Sequence, residues 1–236
     1  MASATGYERE PEGTHPPLDF EGYKSTRLRH PREPLVYLPH EVTEVTGPQL
    51  GTDRLGPLDA DLTRQHGGEP IGERIVVSGR VLDAGGRALA DTLVEVWQAN
   101  AAGRYLHARD VWPAPLDPNF GGAGRVLTDA EGRWSFTTIK PGPYPWGNHH
   151  NAWRPAHIHF SLLGQAFAQR LVTQMYFPGD PFFPYDPIFN SVRDAAARER
   201  MVSTFSMDDT RPDWAPSYQW DIVLRGPEET PMEESH

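Results

Sequence analysis

The chain has 236 residues, among them 22 glycines, 24 prolines and no cysteine, and it carries a formal net charge of −10. The absence of cysteine excludes disulfides, thiolate zinc sites, cysteine-ligated iron–sulfur clusters and cysteine nucleophiles. The acidic charge argues against nucleic acid as the main partner, since phosphate binding needs a basic face. The first twenty residues contain no apolar signal segment and no long apolar run follows, so we expect a soluble, cytoplasmic protein with no membrane partner.

Residues 1–70 form the first distinct region of the sequence, with many prolines and glycines and only short apolar pieces, such as 35–38. Segments punctuated in this way are typical of loops and arms rather than of a core. We interpret 1–70 as an N-terminal arm that lies on the surface, wraps around a partner subunit or covers a site. Residues 71–236 are expected to form the main domain.

The main domain is predicted to be mainly β, because short apolar or alternating segments are separated by turns rich in glycine and proline. One short helix is predicted at 195–205, after a capping box at 191–194. The glycine-rich segment 121–124 is interpreted as a plain loop. The pattern favours an antiparallel β-sandwich core with long loops over alternating strands and helices. The predicted strands span 75–82, 92–98, 133–138, 156–163, 170–177 and 218–224.

Two histidines on one predicted strand, His157 and His159, are the first candidates for chemistry. They point to the same face, because side chains repeat every two residues along a strand. Two adjacent imidazoles are common metal ligands, but a pair of surface or hydrogen-bonded histidines explains the spacing as well. His149 and His150 are expected to lie solvated in a turn.

A metal at the two strand histidines needs further ligands, and the sequence offers two kinds of oxygen donor. A carboxylate from Asp129 or Asp180 would complete a facial triad of two histidines and one acid. Tyr144, in a stiff Pro-rich segment, and Tyr105, which follows a predicted strand, could instead supply phenol oxygens. Each tyrosine taken alone is explained equally well by packing, so spacing leaves these alternatives open.

Four separated motifs stand in the sequence: LVEVWQANAAGRY at 93–105, APLDPNFGGAGR at 114–125, PGPYPW at 141–146 and WRPAHIHF at 153–160. Together, and in this order, they resemble the intradiol ring-cleavage dioxygenases, and the resemblance covers nearly the whole chain. It implies a catalytic domain over 71–236 with one non-haem Fe(III) per chain. The iron ligands that it implies are Tyr105, Tyr144, His157 and His159.

The residue types agree with this implied site. Phenolate is a hard anionic donor that favours Fe(III), and the ferric charge in turn favours the ionised form of tyrosine. The resemblance implies that Tyr144 leaves the iron and takes up a proton when a catechol binds, while Tyr105 stays. We expect the sheet to hold Tyr105 in place, and we expect no ladder hydrogen bonds at Tyr144, between Pro143 and Pro145.

The resemblance also implies residues that act on the substrate. Arg154 is expected to stabilise negative charge that develops during the reaction, although a surface arginine stacked on Trp153 is the alternative. Gln174 is expected to be a polar neighbour of the substrate or O2. The substrate-binding residues implied by the resemblance are Tyr23, which would contact a substrate carboxylate, and Trp146, Ile188 and Arg154.

The region 1–70 shows no long helical period, whereas the family members that act on catechol or hydroxyquinol carry a helical N-terminal region. This favours protocatechuate (3,4-dihydroxybenzoate) as the substrate. All four ligand positions are present, so the resemblance implies an iron-bearing β subunit that assembles with a homologous α subunit without iron ligands, as αβ units in a higher oligomer.

Three alternatives remain for the function. The first is another intradiol enzyme, a catechol or hydroxyquinol 1,2-dioxygenase. The second is an Fe(II) dioxygenase with a facial triad. The third is a non-catalytic, transthyretin-like β-sandwich that binds a carbohydrate or a protein. Colour separates the intradiol enzymes from the second and third alternatives, because tyrosinate bound to Fe(III) absorbs visible light, whereas an Fe(II) facial site and an empty sandwich are nearly colourless.

Overall fold

Two β-sheets form the body of the protein, because most strands carry apolar side chains that face a shared core. The computed structural model describes residues 10–33, 55–147, 149–163 and 170–232. The helices are α1 (Thr26–Arg29) and α2 (Ala195–Arg200), with 3₁₀ turns at Phe183–Tyr185 and Phe189–Ser191. The strands are β1 (Arg74–Asp83), β2 (Leu93–Trp97), β3 (Ala123–Leu127), β4 (Arg133–Ile139), β5 (Tyr144–Pro145), β6 (Trp153–Arg154), β7 (His157–Leu163), β8 (Arg170–Tyr176), β9 (Thr204–Arg211), β10 (Ala215–Gln219) and β11 (Ile222–Leu224).

The first sheet is mixed, with the order β11-β1-β10-β9 and with β4 also paired to β1. β4 runs antiparallel to β1, but β10 and β11 both run parallel to it, so this sheet departs from the expected antiparallel pairing, while the expected mainly β fold class is confirmed. The predicted strand 218–224 is in fact two strands. They pair with successive parts of β1, and between them the backbone N–H of Trp220 donates to the carbonyl of Ser78 at 2.8 Å.

The second sheet is antiparallel throughout, with the order β3-β2-β7-β8. Its edge strand β3 begins at Ala123, inside the segment expected to be a plain loop. Along β7, Ile158 and Phe160 face the first sheet, and the Phe160 ring lies 5.3 Å from that of Trp134. His157 and His159 therefore occupy the outer face of this sheet.

Helix α2 is shorter than predicted and ends at Arg200. Its cap is Asp194, whose carboxylate accepts from the N–H of Ala197 at 2.7 Å, and the predicted capping box at 191–194 is wrong. The face buried is that of Ala197 and Met201. Phe205, predicted to end the helix, lies on β9 opposite Tyr218, because the chain turns after the helix and pairs with β10.

The described parts of the N-terminal arm pack on their own chain. The carbonyl of Gly13 accepts from Asp194 N at 3.1 Å, and the N–H of Met232 donates to His15 Nδ1 at 3.2 Å. Further on, Leu62 is buried and its N–H donates to Thr137 O at 2.9 Å. The apolar piece 35–38 lies outside the described residues.

No helix in the described ranges combines the length and the apolar character needed to cross a membrane.

Candidate metal centre

Four side chains converge on the outer face of the second sheet. The hydroxyl oxygen of Tyr105 lies 3.2 Å from His159 Nε2, and that of Tyr144 lies 3.4 Å from His157 Nε2. The two imidazole centroids are 4.9 Å apart, and the two phenol centroids are 5.6 Å apart. Two phenol oxygens and two imidazole nitrogens therefore meet at one place, as the resemblance implied.

His157 is held in the tautomer that a metal ligand needs. Its Nδ1 lies 2.6 Å from the carbonyl oxygen of Pro155, to which it donates, so the lone pair of Nε2 faces Tyr144. Burial holds the pKa of His157 well below its ordinary value, and the charge of Arg154 and then the neighbouring His159 lower it further. The imidazole is therefore neutral at neutral pH, which is the ligating form.

His159 is fixed by an aromatic neighbour on the adjacent strand. Trp97 of β2 lies directly opposite it in the sheet, and the two rings stack 4.9 Å apart with an interplanar angle of 6°. This stacking limits rotation of the imidazole and sets the direction in which Nε2 points. Trp97 was named above only as part of a motif. Its two-residue alternation with Glu95 puts both side chains on one face of β2, and this is the signal that could have found it.

Tyr105 is held by a loop and not by the sheet, so the expectation for this residue is wrong. The side-chain oxygen of Asn100 accepts from the N–H groups of Ala102 and Arg104 at 2.9 and 3.0 Å. The carboxylate of Asp110 then accepts from the N–H of Tyr105 itself at 2.8 Å. Polar side chains replace ladder hydrogen bonds here and fix the loop.

Two glycines let the loop that carries Tyr105 approach the segment that carries Tyr144. Gly103 has a φ of +76°, a region that favours glycine, and a Cβ there would collide with the carbonyl oxygen of Pro143. A Cβ at Gly142 would collide with the carbonyl oxygen of Ala101. The close contact of these backbones brings the two phenols to the same place.

Tyr144 does take part in a β-ladder, contrary to expectation. The two-residue strand β5 pairs antiparallel with β6, and Tyr144 lies opposite Arg154. Proline cannot donate to a ladder. Pro143 lies outside β5; Pro145 lies within it, and the next N–H, that of Trp146, donates to Ala152 O at 2.8 Å. The backbone of Tyr144 is therefore held beside the strand that carries Arg154.

Arg154 is buried, so the interpretation as a surface arginine is wrong. Its Nε donates to Asp186 Oδ2 at 3.1 Å, and its Nη2 donates to Gln174 Oε1 and, at 3.3 Å, to the hydroxyl of Tyr176. Trp153, the expected stacking partner, stacks on Phe182 instead, at 4.9 Å. A fixed cation therefore lies beside the histidines, as the functional interpretation required.

The other predicted site residues lie on two sides of this centre. Trp146 lines a cavity of about 690 Å³ together with Tyr105, Tyr144 and His159. Tyr23, from the arm, packs edge-on against Trp146 with centroids 4.9 Å apart.

Gln174 and Ile188 lie deeper than Trp146. Gln174 is fully buried opposite His159 in the β7–β8 pair, and its side-chain Nε2 has no hydrogen-bond partner among the described residues. Ile188 is buried beside Asp186, the ion-pair partner of Arg154, and its N–H donates to Asp186 Oδ1 at 2.9 Å. Neither residue lines the cavity at Trp146.

His149 is less solvated than expected. Its Nε2 accepts from the N–H of Lys24 at 3.2 Å, so it joins the arm to the segment that follows Trp146. Burial, and then the charge of Lys24, lower the pKa of His149. His150 is exposed, as expected.

The two carboxylates considered for a facial triad are used elsewhere. Asp180 accepts from the backbone N–H groups of Ala156 and Phe182, both at 2.9 Å. Asp129 accepts from Arg133 N at 2.8 Å in the turn before β4. The donor set that meets is two phenols and two imidazoles, which fits a ferric ion, because hard anionic oxygen favours Fe(III) over softer metals.

A larger open cleft of about 910 Å³ lies at β1, β3 and β4, away from this centre. The arginines on its walls have acidic partners: Arg80 with Asp221 at 2.7 Å, Arg125 with Glu95 at 3.2 Å and Arg133 with Glu131 at 3.8 Å. Its charges are therefore paired, and the smaller cavity beside the tyrosines is the candidate site.

Comparison with known proteins identifies the family. A model described as "Dioxygenase" matches residues 45–226, and one described as "Protocatechuate 3,4-dioxygenase beta subunit N terminal" matches 7–41. The chain is 59% identical over 222 residues to the protocatechuate 3,4-dioxygenase beta chain of Burkholderia cepacia, covering 93% of this chain and 94% of that one.

Two further relatives show how widely the likeness extends. The protocatechuate 3,4-dioxygenase alpha chain of Pseudomonas putida is 30% identical over 161 residues, which cover 67% of this chain and 75% of that one. The structure of 3-chlorocatechol 1,2-dioxygenase from Rhodococcus opacus 1CP shares the fold, with a TM-score of 0.56 at 24% identity, over 73% of this chain and 66% of that one. The chain thus belongs to the intradiol ring-cleavage dioxygenases, an iron-dependent family, and within it resembles the β subunit of protocatechuate 3,4-dioxygenase.

Proposed function

We propose that this chain is the iron-bearing β subunit of a protocatechuate 3,4-dioxygenase. It cleaves protocatechuate with O2 to 3-carboxy-cis,cis-muconate, a step in aromatic degradation by the β-ketoadipate pathway. The observation that carries the proposal is the meeting of two phenol–imidazole pairs, with O–N distances of 3.2 Å for Tyr105–His159 and 3.4 Å for Tyr144–His157, in a chain 59% identical to a protocatechuate 3,4-dioxygenase beta chain.

Tyr105, Tyr144, His157 and His159 would hold one non-haem Fe(III) per chain. When bound, the ferric ion would supply a Lewis acid to which the two adjacent hydroxyl oxygens of the substrate coordinate, and which would make the ring reactive toward O2. His157 and His159 contribute imidazoles whose orientation is set by Pro155 O and Trp97. The two phenols contribute the anionic oxygens.

Tyr144 is the ligand proposed to give way to the substrate. Its hydroxyl oxygen then holds a proton taken from a substrate hydroxyl, which a phenol with an ordinary pKa of about 10 retains at neutral pH. Because β5 and β6 hold the backbone of Tyr144, the exchange takes place by rotation of its side chain.

Arg154 and Gln174 are proposed to act on the reacting part of the substrate. Arg154 is 3% exposed, so its charge is poorly screened by water and acts strongly on negative charge that develops nearby. The buried Nε2 of Gln174, which lacks a partner among the described residues, is a donor suited to an oxygen of the substrate or of O2.

Trp146, Tyr23 and Ile188 are proposed to place the aromatic ring: Trp146 lines the cavity, Tyr23 packs on Trp146, and Ile188 lies in the buried layer beside Asp186. Tyr23 would donate to the carboxylate that distinguishes protocatechuate from catechol. The guanidinium of Arg29 lies 4.7 Å from the centre of the Tyr23 ring, which adds a positive charge on that side. Both residues belong to the arm, so the arm contributes to substrate choice.

The proposed partner is a homologous α subunit without iron ligands, in αβ units of a higher oligomer. Two things support it: the match of residues 7–41 to a β-subunit N-terminal model, and the relatives named as alpha and beta chains. We further propose that the arm, residues 1–70, contacts this partner in addition to the main domain, residues 71–236.

The test is to express the chain with and without an α subunit, load it with iron and titrate it anaerobically with protocatechuate in a visible spectrometer. The αβ protein should be coloured, and its band should change on titration. Admission of O2 should then yield a ring-cleaved product that contains both oxygen atoms. The chain alone should aggregate or show little activity. A colourless iron-loaded protein, or preferred cleavage of catechol or hydroxyquinol, would contradict the proposal.

A further inference from the structure

A buried network lies behind the candidate metal centre, and its acidic member was absent from the sequence analysis. Asp186 is fully buried between the two 3₁₀ turns. Its Oδ2 accepts from Arg154 Nε at 3.1 Å and lies 3.2 Å from the Tyr176 hydroxyl. That hydroxyl lies 2.9 Å from Gln174 Oε1 as well. Four side chains therefore form one closed polar cluster.

The cluster is in register with the metal ligands. Across the β7–β8 pair, Tyr176 lies opposite His157 and Gln174 lies opposite His159, all four on the outer face of the sheet. The rings of His157 and Tyr176 are 5.8 Å apart. A displacement of the cluster would therefore change the packing directly beside the two imidazoles.

Asp186 has a second link, to Ile188, which is proposed to help place the substrate ring. Its Oδ1 accepts from the N–H of Ile188 at 2.9 Å, and its carbonyl accepts from the side-chain amide of Asn190 at 2.8 Å. The carboxylate thus uses one oxygen for the Arg154 guanidinium and the other for the backbone of Ile188. The hydrogen bond to its carbonyl also holds the backbone of Asp186, so Asp186 can hold both Arg154 and Ile188 in place.

We propose that Asp186, assisted by Tyr176, is a positioning residue that sets the orientation of the Arg154 guanidinium toward the reacting substrate. This inference rests on the proposed function. A carboxylate is well suited to the role, because it accepts from Arg154, Tyr176 and Ile188 at once. A carboxamide in its place must turn its NH2 group toward one of these donors.

The position also explains why a charge is buried here at all. A buried ion pair is a weak device for stability, since desolvation offsets most of its attraction. The pair does, however, keep the Arg154 guanidinium desolvated and fixed in orientation. Electrostatic stabilisation of developing charge requires both properties. Arg154 and Asp186 side chains are 4% and 0% exposed, so the pair is shielded from solvent screening.

The experiment compares three variants of the iron-loaded αβ protein: Asp186→Asn, Arg154→Ala and the double variant. Asp186→Asn should keep its iron, its visible band and its KM for protocatechuate. Its kcat should fall about 10- to 100-fold, the range typical for residues that orient a catalytic group without touching the substrate. The double variant should be no slower than Arg154→Ala alone, because Asp186 acts only through Arg154.

Asp117→Asn is the matched control. Asp117 is also a buried aspartate that accepts from backbone N–H groups, those of Ile71 and Asn119 at 2.7 and 2.8 Å, but it lies outside the cluster. It should lower the melting temperature without changing kcat. A normal kcat in Asp186→Asn, or a double variant whose loss equals the product of the two single losses, would overturn the inference.

Tyr176→Phe covers the case in which Asp186→Asn does not fold. It removes one hydroxyl and keeps the ring, and kcat should fall about 2- to 10-fold, the equivalent of one hydrogen bond. An unchanged kcat in that variant also overturns the inference. If the unmodified protein does not cleave protocatechuate, the proposed function fails instead. If it does, and Arg154→Ala is slowed while Asp186→Asn is not, only the positioning role fails.

Discussion

The histidine side and the tyrosine side of the candidate metal centre are built differently. His157 and His159 are 2% and 8% exposed and stand on a strand with paired neighbours on both sides. Tyr105 and Tyr144 are half-buried, one on an irregular loop and the other on a strand of two residues. Strands fix positions closely, whereas a loop is fixed only by the side chains that bridge it.

This contrast gives each side a separate task. The histidine side sets the place and the electrostatics of the centre, because the sheet and the buried cluster behind it leave little freedom. Both tyrosines border the cavity at Trp146, so we propose that the substrate enters there and that the ligand exchange takes place on the tyrosine side. Variants on the two sides should therefore fail in different ways.

The largest effect is expected on the histidine side. His159→Ala removes a proposed ligand from strand β7, which is held between two paired strands. The protein should therefore lose its iron, its colour and its activity together. Metal analysis and the visible spectrum measure this. His150→Ala is the control, since that side chain is exposed in the turn, and it should be normal. Full iron content in His159→Ala would remove His159 from the ligand set.

The two tyrosines should differ from each other. Tyr144→Phe should keep much of its iron, with the visible band altered rather than abolished, because one phenolate remains. Its catalysis should slow at substrate binding and product release. Tyr105→Phe should retain less iron, since this phenol is the one expected to stay bound throughout. Iron content and spectra of both, with and without protocatechuate under nitrogen, test this. An unchanged spectrum and unchanged kinetics in Tyr144→Phe would show that Tyr144 is not a ligand.

Arg154→Ala should separate electrostatics from metal binding. Iron and colour should remain, while turnover falls about 10²–10³-fold, the range typical for the loss of one preorganised electrostatic group. The variant should also be less stable, by about 3–5 kcal/mol, because Asp186 is left buried without its partner. Kinetics and thermal melting measure the two effects. Arg80→Ala, which breaks an exposed ion pair with Asp221, serves as the control and should be near normal. A near-normal turnover in Arg154→Ala would remove its catalytic role.

Much of the sheet could be predicted from the sequence, since alternation of apolar side chains marks strands that bury one face. β1, β2, β4, β7 and β8 confirm this. β9 could not be found in the same way, because its side chains are exposed or half-buried throughout and carry no apolar period. Parallel pairing of β10 and β11 with β1 joins residues about 140 positions apart, and no local pattern encodes it.

The site was predictable to different depths. The period of two placed His157 and His159 on one face, but the resemblance, and not spacing, supplied Tyr105 and Tyr144. The supports of the tyrosines were predicted wrongly, because proline near Tyr144 concealed a short ladder and because Asn100 fixes the Tyr105 loop through side-chain hydrogen bonds. Asp186 meets Arg154 only in the folded chain, 32 residues away.

The smallest effect is expected at the arm, which lies beyond the tyrosine side. Tyr23→Phe keeps the ring that packs on Trp146 and removes only the hydroxyl proposed to meet the substrate carboxylate. KM for protocatechuate should rise about 10-fold, since a hydrogen bond to a charged group contributes about 1.5 kcal/mol at the low end. Iron content, colour and kcat should not change, because Tyr23 is not one of the proposed ligands. Catechol is the matched substrate, as it lacks the carboxylate, and its KM should be the same in both proteins. Tyr185→Phe, at an exposed tyrosine, controls for loss of a phenol hydroxyl in general. If KM rises equally for both substrates, Tyr23 shapes the wall of the cavity but does not recognise the carboxylate, and substrate choice must then come from the partner subunit.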